Sequence, residues 1–476
     1  MKICVLQPDY SSSKVDYRHY DPPRDLAALL PAHDVHHLFL DKRTTYRQLR
    51  DCVTMGFDIF VNLCEGYLDW DVPSVDVILA LDLLELPYTG PSALLYDPSK
   101  PLMKYVAHTA GVRTPAYRLV RCSDDIEAIA ATLPFPLFVK PAHAGDSRGV
   151  NEQALVHDVA ALRAQVDALL PEFPELLVEQ YVDGREFTVL VVADVAGRGE
   201  CTALQPVEFE FPAGSHFKTY ALKTSELHPQ ANVPVRDAAL AAELKDAARR
   251  VFKAFGGVGY ARMDFRLSET GELFFLEINF TCSVFYDDGY EGSADYILRH
   301  DGMGKSGFAE RIIAEGRARH RRTLLPYEMQ GNALSGYGIF ARRAIAVGEL
   351  VFPGEERAHR IVTRRHVDHT WSAPDRELFR HYAYPLSSDI FALWDADPAA
   401  WAPQNHSCAP NTAFDGLNLI ALRDMARGEE LTLDYGLSMS DTSAPFACRC
   451  GAPACRGQIS GAIGNSVSDR ECARRG

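Results

Sequence analysis

Cys448, Cys450 and Cys455 stand in CRCGAPACRG, residues 448–457, a C-x-C-x4-C pattern among glycine and proline. Clustered thiols in a reducing compartment indicate a metal more often than a disulfide. A closed zinc tetrahedron needs four ligands. Cys408, in NHSCAPN (405–411), supplies the fourth. Zinc would then pin the C-terminal tail back onto the segment around 405. Cys4, Cys52, Cys64, Cys122, Cys201 and Cys282 are scattered and read as buried thiols.

A second group consists of oxygen donors. In ARMDFRLSETGELFFLEINF, Asp264 lies on one strand and Glu277 and Asn279 on the next, with SETGE as the turn. Residues two apart on a strand share a face. Three oxygens facing one way suit Mg2+, which takes a few carboxylates plus nucleotide phosphates. Glu277 sits between FFL and IN, where a carboxylate is costly without a cation. Upstream, FPLFVKPAHAGDSRGV delivers Lys140 and then a loop with Gly145, Ser147 and Gly149. Small residues let backbone N–H groups approach phosphate, and lysine adds a point charge. In VEQYVDGREFTVL, Glu179 and Glu186 flank a turn at Asp183-Gly184 and could take adenine and ribose groups.

The elements that must position these residues follow from length and pattern. A chain of 476 residues suits two to four domains. Strand-like and helix-like runs alternate at first: KICVLQ, RDLAALLPA, FDIFVNLCE, SVDVILALDLLEL. This order predicts an α/β domain with a parallel sheet. From about 117, FPLFVKPA, ELLVEQYVD, REFTVLVVADV and ELFFLEINF predict an α+β region with antiparallel pairs. After Gly331 strands are short and turns frequent. The expected boundaries are 1–95 for the N-terminal α/β domain and 96–318 for the nucleotide-binding region. A linker at 319–330, a mostly β domain at 331–440, a zinc segment at 441–460 and a flexible tail at 461–476 complete the division. Net charge of −15 argues against a nucleic-acid binder. No apolar run is long enough to span a bilayer, and MKICVLQPDY reads as a buried strand rather than a signal peptide. A cytoplasmic protein with no membrane partner is expected.

The motifs PYTG, VKPA…GDSRGV, VEQYVDGREFTV and ARMDFR…GELFFLEIN, in this order, resemble the D-alanine–D-alanine ligase branch of the ATP-grasp enzymes, over roughly residues 1–318. The resemblance implies that Lys100 and Lys140 contact ATP phosphates. Glu179, Tyr181 and Val182 would line the adenine pocket, and Glu186 would hold the ribose. Lys223, in TYALKTSE, would reach the γ-phosphate. Arg262 would stabilise the tetrahedral oxyanion, and Asp264, Glu277 and Asn279 would hold magnesium. Such enzymes activate a carboxylate as an acyl phosphate, which an amine attacks as ADP and phosphate are released. Ligases of this type are commonly dimers.

The substrate side departs from that family. QPDYSSSKVDY replaces its glycine-rich turn with a Ser-Glu pair. LCEGYLDWDVP replaces its His-Gly segment, and FTCSVFYDDGYEGSADY follows Asn279 where Pro-Gly-Met-Thr is expected. These departures predict a carboxylate–amine pair other than two D-alanines. Asp287, Asp288 and Glu291 are candidates for recognising a charged amino acid, or form a solvated loop.

NHSCAPN, the glycine pair in SGYGIFA, the run EELTLDYG and CRCGAPACRG are together similar to SET-domain methyltransferases with a post-SET zinc motif, over about 328–460. By that resemblance Gly336, Tyr337 and Gly338 place backbone against S-adenosylmethionine. Asn405 and His406 bind the same cofactor, Tyr435 lies near the methyl transfer and Phe446 packs over the cofactor. Alignment of a neutral amine with the sulfonium methyl carries most of the rate enhancement. Tyr337, Tyr382, Tyr384 and Trp401 are candidates for an aromatic channel or for core packing. The reading is a two-headed enzyme using ATP, Mg2+, S-adenosylmethionine and Zn2+ on amino-acid or peptide substrates. Two alternatives stay open: a protein lysine methyltransferase whose ATP-grasp unit recognises a partner, and a ligase whose SET unit is a scaffold.

Overall fold

The computed structural model describes residues 1–11, 21–68, 70–143, 149–197, 199–211, 217, 231–332, 336–356, 359–394, 402–438 and 445–460. The chain forms two compact units, Met1–Thr323 and Leu324–Gly476. Among the described residues no helix is long and apolar enough to cross a membrane.

The first unit begins with a parallel sheet in the order Asp34–Leu40, Lys2–Pro8, Ile59–Asn62. In the central strand, Ile3 and Val5 enter one core while Cys4 and Leu6 enter another. Burial on both faces explains why the strand reads as a continuous apolar run. The expected helix RDLAALLPA does not form; the segment makes turns. Gln7 accounts for this. Its amide donates to Arg24 O (3.1 Å), and its side-chain oxygen accepts from Arg24 N (2.7 Å). The Arg24 carbonyl is the one a helix starting there would need for its first hydrogen bond. The strand Asp34–Leu40 goes unread in the sequence, because its paired histidines hide the β pattern.

Two antiparallel sheets follow. The smaller has the order Tyr117–Val120, Leu176–Gln180, Leu137–Pro141, Leu155–Val156. Helices Ile126–Thr132 and Val159–Leu169 close its core. The larger runs Asn232–Pro234, Val207–Phe209, Gly184–Ala193, Tyr260–Ser268, Leu273–Asn279, with Cys201–Ala203 also paired to Gly184–Ala193. Helix Ala238–Ala254 covers this sheet, and Asp237 caps it by accepting from Ala239 N and Leu240 N. Helix Lys100–Thr109 starts at Ser99, whose side chain accepts from Leu102 N.

The second unit is built of short strands. Tyr327–Asn332 pairs with Gly336–Ala341. Leu350–Phe352, Asn418–Ala421 and Thr412–Asp415 form one small sheet, and His359–Thr363, Ile390–Trp394 and Tyr384–Pro385 another. Asn405–His406 lies parallel to Thr432–Leu433. Phe446–Ala447 pairs with Gln458–Ile459. Tyr327, Ile339, Val351, Leu419 and Leu431 form the central core.

Helix Gly304–Thr323 shows how tightly the first unit is closed. Arg319 donates to Tyr88 O and Gly90 O (both 2.8 Å), and a Cβ on Gly316 would lie 2.4 Å from Tyr88 O. Glycine to alanine in a helix normally stabilises by about 1 kcal/mol. Here backbone blocks the methyl. Gly316→Ala is therefore expected to destabilise the first unit by about 1–3 kcal/mol, seen as a lower urea midpoint with an unchanged slope.

Candidate active sites

The first unit holds two adjoining cavities. One, of about 780 Å3, is bordered by Lys100, Phe138, Lys140, Glu179, Tyr181, Val182, Glu186, Phe217, Asp264, Arg266 and Glu277. At its base the Glu179 carboxylate meets Lys104 Nζ and Lys140 Nζ, each at 2.5 Å, with all three side chains at most 10% exposed. Burial opposes the Glu179 charge, but Lys104 and Lys140 outweigh it and hold the carboxyl below its ordinary value. Burial likewise opposes the charge on Lys140, yet Glu179 and Glu277 hold it above the usual lysine value. Burial wins at Lys104, whose value is lowered. Two ammonium groups thus meet at one carboxylate, and Lys100 also borders the cavity, so cations are at hand for a phosphate.

The same cavity has an aromatic wall. Tyr181 stacks on Phe138 with ring centroids 6.3 Å apart, and the Arg266 guanidinium lies 5.0 Å from the Tyr181 ring. Arg266 also pairs with Glu186 at 3.2 Å and donates to Val182 O at 2.8 Å. Glu186 is thus held in place by a cation. Gly149 has φ +73° and lies against Pro141. Lys223, Gly145 and Ser147 lie outside the described residues.

Strand pairing brings the oxygen donors together. Asp264 faces Glu277 and Arg262 faces Asn279, with a bulge after Asp264. Asp264 Oδ2 meets Arg262 Nη2 at 3.1 Å, while the buried Oδ1 has no hydrogen-bond partner. An orphaned buried carboxylate oxygen opposite Glu277 fits a divalent cation. Asn279 Oδ1 accepts from Thr281 N at 2.8 Å. The second cavity, about 950 Å3, shares Lys100 and Glu277 with the first and is also bordered by Arg262, Asn279, Glu65 and Ser283. Asp287, Asp288 and Glu291 border neither cavity. Asp288 is solvated and lies 3.4 Å from Arg299, and Glu291 is tied to Arg299 and to Gly289 N (2.7 Å). Asp287 and Asp288 are exposed, whereas Glu291 is buried against Arg299.

In the second unit Gly336 has φ +90°, and a Cβ on Gly338 would lie 2.4 Å from Glu430 Oε1 and 2.8 Å from Asn405 Nδ2. A side chain at 338 would displace the Glu430 and Asn405 side-chain ends. Asn405 Nδ2 donates to Tyr337 O (3.1 Å) and Glu430 Oε1 (2.6 Å). His406, Tyr435 and Phe446 form an aromatic trio with centroids 5.5–6.1 Å apart. The Tyr435 hydroxyl donates to Gln404 O, and burial raises its ionisation value, so the phenol stays neutral. Of the channel candidates, Tyr337 and Tyr382 are exposed, while Tyr384 packs on Trp394 and Phe414. Trp401 is outside the described residues.

The metal-type donors closest together are His406, Cys408, Cys448 and Cys450, all within 4.8 Å. Cys455 is exposed, but its sulfur interacts with those of Cys448 and Cys450. The hydrogen bonds of His406 bear on its role. His406 Nδ1 accepts from Tyr435 N at 3.1 Å, and burial keeps the ring neutral. The proton therefore sits on Nε2, which lies 3.3 Å from Cys408 Sγ. A protonated Nε2 donates to a thiolate and does not ligate. Cys408, Cys448 and Cys450 lie together with His406 as a candidate metal site, and the expected fourth thiol, Cys455, is outside that group.

Comparison with known proteins follows this division. The model described as "D-ala D-ala ligase C-terminus" matches residues 106–284, and that of the "SET domain" matches 336–436. The D-alanine--D-alanine ligase of Bordetella petrii is 34% identical over 257 residues, covering 53% of this chain and 74% of that protein. The chain belongs to the D-alanine–D-alanine ligase family. The ligase of Ectopseudomonas mendocina is 37% identical over 204 residues, 42% of this chain and 61% of its own length. A Bacillus anthracis D-alanine--D-alanine ligase crystallised with ATP aligns at a TM-score of 0.49 and 18% identity, covering 68% of this chain and 99% of that one. This member of the ligase family is an ATP-grasp ligase fused to a SET-type methyltransferase.

Sequence reasoning missed Lys104, Arg266 and Phe138 in the ligase unit and Glu430 in the SET unit. Lys104 carried a usable signal, since it lies one helical turn beyond Lys100 and so shares its face. Its partner Glu179 carries the sharpest expectation. Glu179→Gln removes the carboxylate that both buried lysines pair with and should cost about 3–5 kcal/mol at pH 7. Because the folded-state value of Glu179 is depressed, its contribution is present above the ordinary 4.5 and is lost as pH falls further. Denaturation curves of the two proteins should therefore converge in acid.

Proposed function

We propose that the ligase unit joins a carboxylate to an amine through an acyl phosphate, and that the SET unit methylates a lysine-like amine of the same small molecule or its product. The observation that carries the first half is the junction of the two cavities at Lys100 and Glu277. ATP binds where Phe138, Tyr181 and Val182 offer an apolar wall, Glu186 takes the ribose, and Lys100 and Lys140 meet the phosphates. Lys223 reaches the γ-phosphate. Asp264, Glu277 and Asn279 would hold Mg2+, which supplies charge neutralisation when bound. Arg262, fixed by Asp264, faces the carbonyl oxygen as negative charge develops on it. A preorganised guanidinium there is worth about 2.7–4 kcal/mol of barrier.

In the SET unit, S-adenosylmethionine lies on the backbone of Gly336, Tyr337 and Gly338, with Asn405, His406 and Phe446 around it. The cofactor supplies an electrophilic methyl group. Tyr435 orients the incoming amine from a pocket whose phenol is neutral. Cys408, Cys448, Cys450 and Cys455 would hold Zn2+ as a structural ion.

Incubation with ATP, Mg2+, S-adenosylmethionine and an amino-acid pool should yield an amide product carrying added methyl groups, read by mass spectrometry. Arg262→Ala should lower amide formation by about 100- to 1000-fold, with nucleotide binding retained. Tyr435→Phe should leave the amide and diminish its methylation. A methyl label entering only proteins of a cell extract would reject the small-molecule reading, and no ADP release with any pair would reject the ligase.

The metal reading has its own check. The purified chain should contain one zinc per molecule by elemental analysis, and Cys450→Ser should lower that content. An unchanged content in Cys450→Ser would remove this thiol from the ligand set.

A further inference from the structure

The second cavity of the ligase unit contains a charge imbalance. Arg24 is 2% exposed and lies between two carboxylates. Its Nη2 is 3.2 Å from Asp21 Oδ1, and its Nη1 is 3.4 Å from Glu65 Oε1. Other guanidinium hydrogens go to Leu63 O (2.9 Å) and Val284 O (3.2 Å). The hydroxyls of Tyr10 and Tyr286 donate to Asp21. Ser283 donates to Glu65 Oε2 at 2.8 Å. Within this cluster of described residues, two carboxylates share one guanidinium, so one negative charge is in excess. Such a charge costs several kcal/mol when it stays uncompensated away from water. At the cavity wall, where Glu65 keeps 15% of its side chain exposed, that charge is answered by water, a proton or a cation.

The excess is presented at one place. Glu65 and Ser283 border the cavity, whereas Asp21 and Arg24 do not. Arg262 and Asn279 border the same space, so a cation held at Glu65 belongs to the molecule that reacts there. Burial pushes the Glu65 carboxyl up to about 7, with Arg24 opposing the rise, so at neutral pH the group responds readily to an incoming charge.

We propose that Glu65, with Ser283 beside it, receives a non-reacting ammonium group of the acyl-donor substrate. This rests on the ligase reading above. The attacking amine must arrive neutral, and a fixed carboxylate would hold it protonated. The ammonium at Glu65 is therefore one that survives the reaction, on the α-carbon or on a side chain. Glu65 stands in LCEGYLDWDVP, where the chain departs from its family.

Hydroxylamine can trap the acyl phosphate of the full-length enzyme as a hydroxamate, which isolates the donor step. Two comparisons separate the sources of charge: α-amino acids against their N-acetyl derivatives, and lysine against norleucine. Loss of the recognised ammonium should lower kcat/KM by about 10- to 100-fold in the unaltered enzyme. In Glu65→Gln the preference should shrink to within about 3-fold, and Glu65→Asp should restore part of it. Thermal stabilisation by ATP shows that each variant is folded. The proposal is overturned if the unaltered enzyme accepts acetylated and uncharged acids as well as their parents. It is equally overturned if Glu65→Gln, or Glu65→Asp should the first not fold, discriminates as the original does. Absence of any hydroxamate or ADP with every acid would instead overturn the ligase reading beneath it.

Discussion

The ligase unit is organised around a single buried carboxylate. Glu179 sits in a strand flanked on both sides by sheet partners, Tyr117 and Phe138. Taking its charge out of water costs several kcal/mol unless hydrogen-bonded cations repay it. Lys140 comes from the neighbouring strand and Lys104 from helix Lys100–Thr109. Three segments distant in sequence are thereby fixed to one point. The spacing of Lys100 and Lys104 on one helical face then sends Lys104 inward and Lys100 to the border of both cavities.

This interaction also marks the limit of what the sequence discloses. The pair Tyr260–Ser268 and Leu273–Asn279 was legible because an apolar run, a turn and a carboxylate out of place coincide within twenty-odd residues. Lys104 was legible only by its spacing from Lys100, because PLMKYVAHT otherwise reads as an amphipathic helix whose lysine belongs in water. Its burial depends on a partner far downstream. RDLAALLPA fails for the same reason. Its propensity is helical, but Gln7 claims the backbone of Arg24 and the Arg24 side chain is spent on carbonyls of two other loops. Local pattern predicts local structure until a buried polar group makes a stronger claim.

The SET unit solves a comparable problem with steric fit rather than charge. Gly338 lets Asn405 and Glu430 come within reach of each other beneath the strand, and Asn405 holds Tyr337 O from there. The sequence showed the glycine and the asparagine but not the carboxylate joining them, since EELTLDYG offers two adjacent glutamates with nothing to tell them apart. Structure separates them: Glu429 turns to Arg423, and Glu430 to Asn405. His406 joins Tyr435 to the cysteine cluster by accepting from Tyr435 N at one nitrogen and facing Cys408 with the other.

The places where the chain keeps and abandons its family's pattern follow from these energetics. On the nucleotide side nearly every polar group answers a buried opposite charge: Glu179 to two lysines, Glu186 to Arg266, Asp264 to Arg262. Replacing any one strands its partner, which is among the costliest single changes a fold can suffer. The motifs there are intact. The wall of the second cavity is built differently, from loops at 65–68 and 281–283 whose side chains border open space. A change in such a wall alters what fits without leaving a charge unmatched in the core, provided the new residue finds a local answer. Glu65 finds Ser283 and a share of Arg24, which Asp21 also engages. Buried ion pairs thus tie the residues of the first cavity to the stability of the fold, and the loops that border the second cavity are tied to it less closely.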